Sequence, residues 1–154
     1  MDNIIPFPQA DDFDKIIQII NFPNDEDLNN ITMISSRLGD ISGRQVSYYI
    51  SATLFLGFIE SKNEKKVFTQ QALHIRSLNS YMQIAEIISV MLLNPVFNKV
   101  FVNTLLFGKQ EIDDISIIIK QYYPNYSDTI YKRRSQTVIS WVDWIIKHTN
   151  HCLH

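Results

Sequence analysis

Two segments of the chain carry side chains that reach phosphates and base edges. Arg44-Gln45-Val46-Ser47-Tyr48 opens one, and Tyr131-Lys132-Arg133-Arg134-Ser135 opens the other. Each runs on into large apolar residues, Leu54-Phe55-Leu56-Gly57-Phe58-Ile59 in the first and Trp141-Val142-Asp143-Trp144-Ile145-Ile146 in the second. A helix that is cationic at its start and apolar toward its end suits an element anchored in a core and presented to a DNA groove. The candidate contacts are Arg44, Gln45, Ser47 and Tyr48 on one helix, and Tyr131, Lys132, Arg133, Arg134 and Ser135 on the other. The first group reads equally as an exposed polar helix start. The second is the stronger case, because three consecutive cations repel one another and cover most of a helix's circumference. Lys62, Lys65 and Lys66 form a third cationic cluster, either a hairpin laid against phosphate or simply a soluble turn. Trp141 and Trp144, three apart, read as core rather than as base-stacking residues.

Other chemistries find fewer supports. A metal-dependent nuclease centre of the PD-(D/E)xK type needs an Asp and a Glu-x-Lys on adjacent strands to hold Mg²⁺ and orient water. Glu60-Ser61-Lys62 has the second spacing, but the nearest upstream acid is Asp40, in a turn before a helix. Asp113-Asp114 and Asp25-Glu26-Asp27 stand at helix starts, where carboxylates oppose the positive end of the dipole. The serines lack a His–Asp partner set, and no Gly-rich phosphate loop is present. No Cys-x-x-Cys pair exists, and His148, His151, Cys152 and His154 read as a polar tail rather than a zinc site. The expectation is therefore no catalytic residue, no metal and no cofactor in this chain.

Charge and composition permit nucleic-acid binding without demanding it. The net charge is −2, yet residues 1–27 hold seven acids and one base, leaving thirteen bases against nine acids in residues 28–154. What neutralises phosphate is the charge of the contacting face rather than the sum over the molecule. Hydrophobic residues make up 45% of 154, enough for a real core, and four glycines with five prolines argue against a β-sandwich and against disorder. No signal peptide is visible and no run of apolar residues is long enough to span a bilayer, so the chain reads as cytoplasmic.

The elements that must position these side chains follow from periodicity and caps. Phe13, Ile16, Ile17 and Ile20 form one stripe behind an acidic start, and Pro23-Asn24-Asp25 breaks that helix. A second helix is expected over 27–38, ending at Gly39, and a third from a Ser42 cap to about Leu56, ending at Gly57. Residues 58–62 and 66–69, around Asn63-Glu64-Lys65, read as a β-hairpin. Three helices followed by a hairpin make a winged helix-turn-helix. Further helices are expected over 70–78, over 80–93 with Ser80 as a cap, over 95–106 with Pro95 in the first turn, over 111–123, and over 128–147 behind Ser127 or Asp128. The last three repeat the helix-turn-helix layout with a truncated second wing. The fold class is thus mainly α with a small β-hairpin, two winged helix-turn-helix units in tandem. Residues 1–78 form the first subdomain and 79–154 the second, packed as one unit.

Several pieces of this layout resemble a known family. Tyr48-Tyr49-Ile50-Ser51-Ala52-Thr53-Leu54-Phe55-Leu56-Gly57-Phe58-Ile59-Glu60 is similar to the end of a recognition helix in the DNA-recognition regions of type II restriction endonucleases. Val67-Phe68-Thr69, Asn94-Pro95-Val96-Phe97 and Arg133-Arg134-Ser135-Gln136-Thr137-Val138-Ile139-Ser140-Trp141 continue the likeness in order. Together they resemble the paired winged-helix modules that precede a nuclease domain, with FokI-type recognition subdomains as distant relatives. The resemblance spans roughly residues 12–146. It implies sequence-specific binding of double-stranded DNA within a restriction–modification system, with a nuclease domain or subunit as partner. Two other readings stay open: a dimeric winged-helix transcription regulator, with a homodimer through the apolar helix 80–93, and a protein-interaction module of a defence complex.

Overall fold

A computed structural model describes residues 4–150 of the chain. It is mainly helical, with one two-stranded antiparallel sheet among the described residues. Two compact units make it up, Met1–Gln83 and Ile84–His154, with the division inside a helix rather than at residue 78. 

The first unit begins with α1 (Phe13–Ile20), whose Phe13, Ile16, Ile19 and Ile20 are buried. Asp12 caps it, its Oδ1 accepting from the Asp14 amide at 3.1 Å. Ahead of the helix Phe7, Pro8 and Ala10 are buried too, and the Phe7 ring meets Phe55 edge-on at 5.5 Å. The helix expected over 27–38 is divided. A 3-10 turn covers Asp25–Asn29 and α2 covers Ile31–Arg37, with Asn30 extended between them and capping the Met33 amide at 3.0 Å.

The reason for that break lies in the hairpin. β1 (Ile59–Lys62) pairs with β2 (Lys65–Phe68), and the far edge of β2 is completed by the 3-10 turn. The Asn29 side chain accepts from the Lys66 amide at 2.9 Å and donates to the Lys66 carbonyl at 3.0 Å. Asp25 Oδ1 accepts from the Phe68 amide at 3.0 Å. Two side chains thus take the place of a third strand and close an edge that would otherwise invite pairing with another chain. The strand connection is a two-residue turn, Asn63-Glu64, with φ of 53° and 64°. That is the left-handed pair that matches strand twist, but only Gly adopts it without a steric penalty. Glu64→Gly is expected to stabilise the unit by about 1 kcal/mol. A thermal melt should show the midpoint rise by a few degrees; an unchanged or lower midpoint would contradict the strain.

α3 (Gly43–Phe55) is fixed at both ends. Ser42 and Gln45 form a reciprocal capping box, with the Ser42 amide donating to Gln45 Oε1 at 3.1 Å and the Gln45 amide to Ser42 Oγ at 3.2 Å. At the other end Gly57 takes φ +77°, which lets the Phe58 amide return to the Thr53 carbonyl at 3.2 Å and the Gly57 amide to Leu54 at 3.0 Å. Val46, Tyr49, Ile50, Ala52 and Thr53 face the core. Thr69 then turns the chain from β2 into α4 (Gln70–Ser77), donating to the Gly57 carbonyl at 2.8 Å and capping the Ala72 amide at 3.3 Å.

Tyr49 ties α3 to α1. Its hydroxyl accepts from the Asp12 amide at 3.1 Å, and Asp12 also holds Lys15 at 2.8 Å. Burial pushes the Tyr49 phenol up, and the hydrogen bond from Lys15 to Asp12 raises the Lys15 ammonium. Both folded values exceed the unfolded ones, so the stability they contribute is complete below about pH 10 and is lost as pH rises through the folded values. Tyr49→Phe is expected to cost about 1 kcal/mol at pH 7 through the lost acceptor. Its denaturation midpoint should also fall less steeply than that of the unaltered protein above pH 10. Parallel slopes would show that the phenol does not contribute.

α5 (Ser80–Met91) crosses from one unit to the next. Its cap is Asn79 rather than Ser80, with Asn79 Oδ1 accepting from the Met82 amide at 3.0 Å. In the second unit α6 (Pro95–Phe107) starts at Asn94, whose Oδ1 accepts from Val96 at 2.9 Å while its amide donates to the Tyr123 hydroxyl at 2.9 Å. α7 (Ile112–Tyr122) and α8 (Asp128–Asn150) pack against it. Phe97 stacks on Trp141 at 4.8 Å between ring centres, and Ile115, Ile119, Val138 and Ile145 complete the buried centre. Among the described residues no single helix is long and apolar enough to cross a membrane.

Candidate nucleic-acid interface

The first unit brings α3 and the hairpin to one surface. Leu28, Asn29, Ile31, Ile34, Val46, Ser47, Ile50 and Lys66 line a single groove of about 200 Å³. Ser47 from the recognition-helix candidate and Lys66 from the hairpin are therefore neighbours along one depression. The register places Lys62 directly opposite Lys65 and Ser61 opposite Lys66. Because side chains alternate across a strand, Lys62 and Lys65 share one face of the hairpin tip while Lys66 points to the other. Like charges directly across an antiparallel pair are destabilising. An anion at the tip relieves that repulsion.

On α3, Arg44 lies exposed with its Nε donating to the Tyr48 hydroxyl at 2.7 Å, its guanidinium 5.6 Å from the Tyr48 ring centre. One helical turn thus presents a guanidinium whose orientation is set by an aromatic neighbour, which lowers the ordering cost of a contact. Gln45 is exposed but its Oε1 is engaged in the cap, leaving its amide nitrogen as the end that reaches outward. Ser47 Oγ donates to the Gly43 carbonyl at 3.2 Å and keeps its acceptor capacity. Arg37, at the end of α2, is also exposed and stands over the Phe22 ring at 5.1 Å.

The α8 group divides, and two of its members are corrected. Tyr131 is buried: its hydroxyl donates to the Tyr123 carbonyl at 2.8 Å and accepts from the Tyr126 amide at 3.3 Å. Ser135 is fully buried, donating to the Tyr131 carbonyl at 2.7 Å and meeting Ser116 Oγ of α7 at 2.9 Å. Neither side chain is available to DNA. The Arg134 guanidinium carbon stands over the Tyr126 ring, 4.0 Å from its centre, so its charge faces the α7–α8 turn. Lys132 and Arg133 alone of the five remain exposed. Lys132 lines a groove of about 290 Å³ with Asp113, Asp128 and Lys120. The signal for this arrangement was present in the spacing: counting back from Trp141 through Val138 at helical intervals leads to Ser135 and Tyr131, so the buried stripe extends to the first turn.

The hairpin's Glu60 and Lys62 are both exposed, and among the described residues no group of three His, Cys, Asp or Glu side chains is placed to hold a metal ion. His148 packs on Trp144, with ring centres 4.2 Å apart and Nδ1 2.8 Å from the Trp144 carbonyl oxygen. His151, Cys152 and His154 lie outside the described residues. What sequence reading missed is the pair Asn29 and Asp25, which hold β2 of the hairpin against the 3-10 turn that precedes α2. Nothing in their local pattern announces that partnership.

The site belongs to a mainly helical protein in which the start of α3 and the hairpin strand β2 meet along one groove, at Ser47 and Lys66. The chain belongs to the family described as Domain of unknown function (DUF7226), which matches residues 15–150. No curated protein and no solved structure matches it.

Proposed function

We propose that the chain binds double-stranded DNA through the α3–hairpin surface, as the sequence-reading module of a type II restriction–modification system. In this reading the Met1–Gln83 unit is a winged helix-turn-helix. The start of α3 enters the major groove, with Arg44, Gln45 and Ser47 toward base edges and Tyr48 orienting Arg44. Lys62 and Lys65 lie along the phosphate backbone, and Lys66 closes the groove beside Ser47. The observation that supports it most is that shared groove, in which the helix start and the hairpin meet. α6, α7 and α8 repeat the helix-turn-helix order, and there Lys132 and Arg133 supply backbone contacts, as positioning charges rather than base readers.

The reading is tested by selection from randomised duplexes with the full chain at near-physiological salt. A defined short sequence should emerge, bound at least a thousandfold more tightly than random duplex. Enrichment of no sequence, with affinity that disappears as salt rises, would reduce the activity to charge-only binding and remove the restriction reading.

A further inference from the structure

The side chains that open α3 are engaged at one end and open at the other, and the engaged end selects what they can read. Arg44 is exposed, and its Nε donates to the Tyr48 hydroxyl at 2.7 Å. A guanidinium holds its N–H donors in a fixed planar fork, so with Nε taken the remaining donors are those of the two terminal nitrogens. Among the described residues no carboxylate forms an ion pair with Arg44. Gln45, also exposed, is engaged through its oxygen: Oε1 accepts from the Ser42 amide at 3.1 Å and from Ser42 Oγ at 3.5 Å. A glutamine reads adenine by accepting from N6 while donating to N7, which needs both ends of its amide. The capping box holds the oxygen of Gln45, so only its nitrogen, a donor, faces outward.

We infer that Arg44 reads guanine, end-on at O6 and N7, and that Tyr48 is the positioning residue that fixes this choice. The inference rests on the reading of α3 as the helix that enters the major groove. Guanine alone among the bases presents two acceptors side by side on that edge, a match for two parallel N–H donors. Adenine sets an amine beside its acceptor, and cytosine presents an amine only. An amine facing a guanidinium puts donor against donor, which rejects both bases, and Gln45 has no oxygen to spare for either. The Tyr48 bond closes the side-on approach through Nε. The Tyr48 ring, 5.6 Å from the guanidinium carbon, limits the swing of the fork. The ordering cost of the contact is thus met within one turn of α3, before DNA arrives.

The test is fluorescence anisotropy of the full chain on a duplex taken from a randomised selection, with one guanine altered at a time. At the guanine that Arg44 reads, 7-deazaguanine lacks one acceptor and should weaken binding by roughly fivefold or more. Hypoxanthine keeps O6 and N7 and should bind within about twofold of guanine. Adenine there should cost roughly 5- to 150-fold. Arg44→Ala should erase the penalties of 7-deazaguanine and adenine. Tyr48→Phe keeps the ring and every charge, so its salt slope and far-UV circular dichroism should stay unchanged while the preference for guanine over adenine falls by about fivefold or more. A selected sequence without guanine, or indifference to 7-deazaguanine at every guanine, would overturn the inference while DNA binding stands. An Arg44→Ala loss equal for all duplexes would overturn it in the same way, in favour of a phosphate contact. Enrichment of no sequence would remove the reading on which the inference rests, and the inference with it.

Discussion

Trp141→Ala should remove most of the stability of the second unit. The indole is fully buried and stacks on Phe97 at an interplanar angle of 18°, where α6 and α8 meet. Truncating a buried tryptophan costs about 3–5 kcal/mol, because the lost transfer energy is joined by the cavity left behind. Whole small domains are stable by only about 5–15 kcal/mol. The variant should therefore show a separate, early thermal transition carrying part of the helical signal, with the remainder melting near the original temperature. A midpoint within a few degrees of the unaltered protein would mean that this stacked pair is not the centre of the unit.

That tryptophan also shows how much was legible beforehand. Its apolar spacing with Val138 and Ile145 is visible in the sequence, and so are the Ser42 cap, the Gly57 stop, a hairpin turn around Asn63-Glu64-Lys65 (one residue longer than the turn formed) and Pro95 at a helix start. Each of these signals is local: a side chain acts on backbone within one turn of itself. The break at Asn29-Asn30 was not legible, since Asn29 is committed to Lys66, 37 residues away, and Asp25 to Phe68, 43 residues away. The α8 start misled for a different reason. Three adjacent cations drew the reading toward solvent, while the helical period that buries Tyr131 and Ser135 runs straight through them. Arg134 finds its partner in Tyr126, across a turn, and a row of letters does not reveal a ring lying under a guanidinium. Of the α3 and hairpin residues, Ser47 and Lys66 line one groove, whereas Tyr131 and Ser135 of α8 are buried.

The second large effect concerns binding. Arg44→Ala should cost about 1–3 kcal/mol against the preferred duplex and relax selectivity at the base pair it reads. Lys62→Ala with Lys65→Ala should weaken binding to all duplexes alike and flatten the salt dependence by about two units of slope, one for each phosphate released. Arg133→Ala should flatten it by at most about one, the single phosphate one cation neutralises. Fluorescence anisotropy across a salt series separates these outcomes. A larger loss from Arg133→Ala than from Arg44→Ala would move the reading surface to α8.

The α3–hairpin surface is tested most directly by following backbone amide resonances of the full chain while a selected duplex is added. Shifts should concentrate on Gly43 to Tyr48 and on Lys62 to Lys66, with Asn29 following because it is bonded to Lys66. Saturable binding that leaves those amides unmoved would contradict the account.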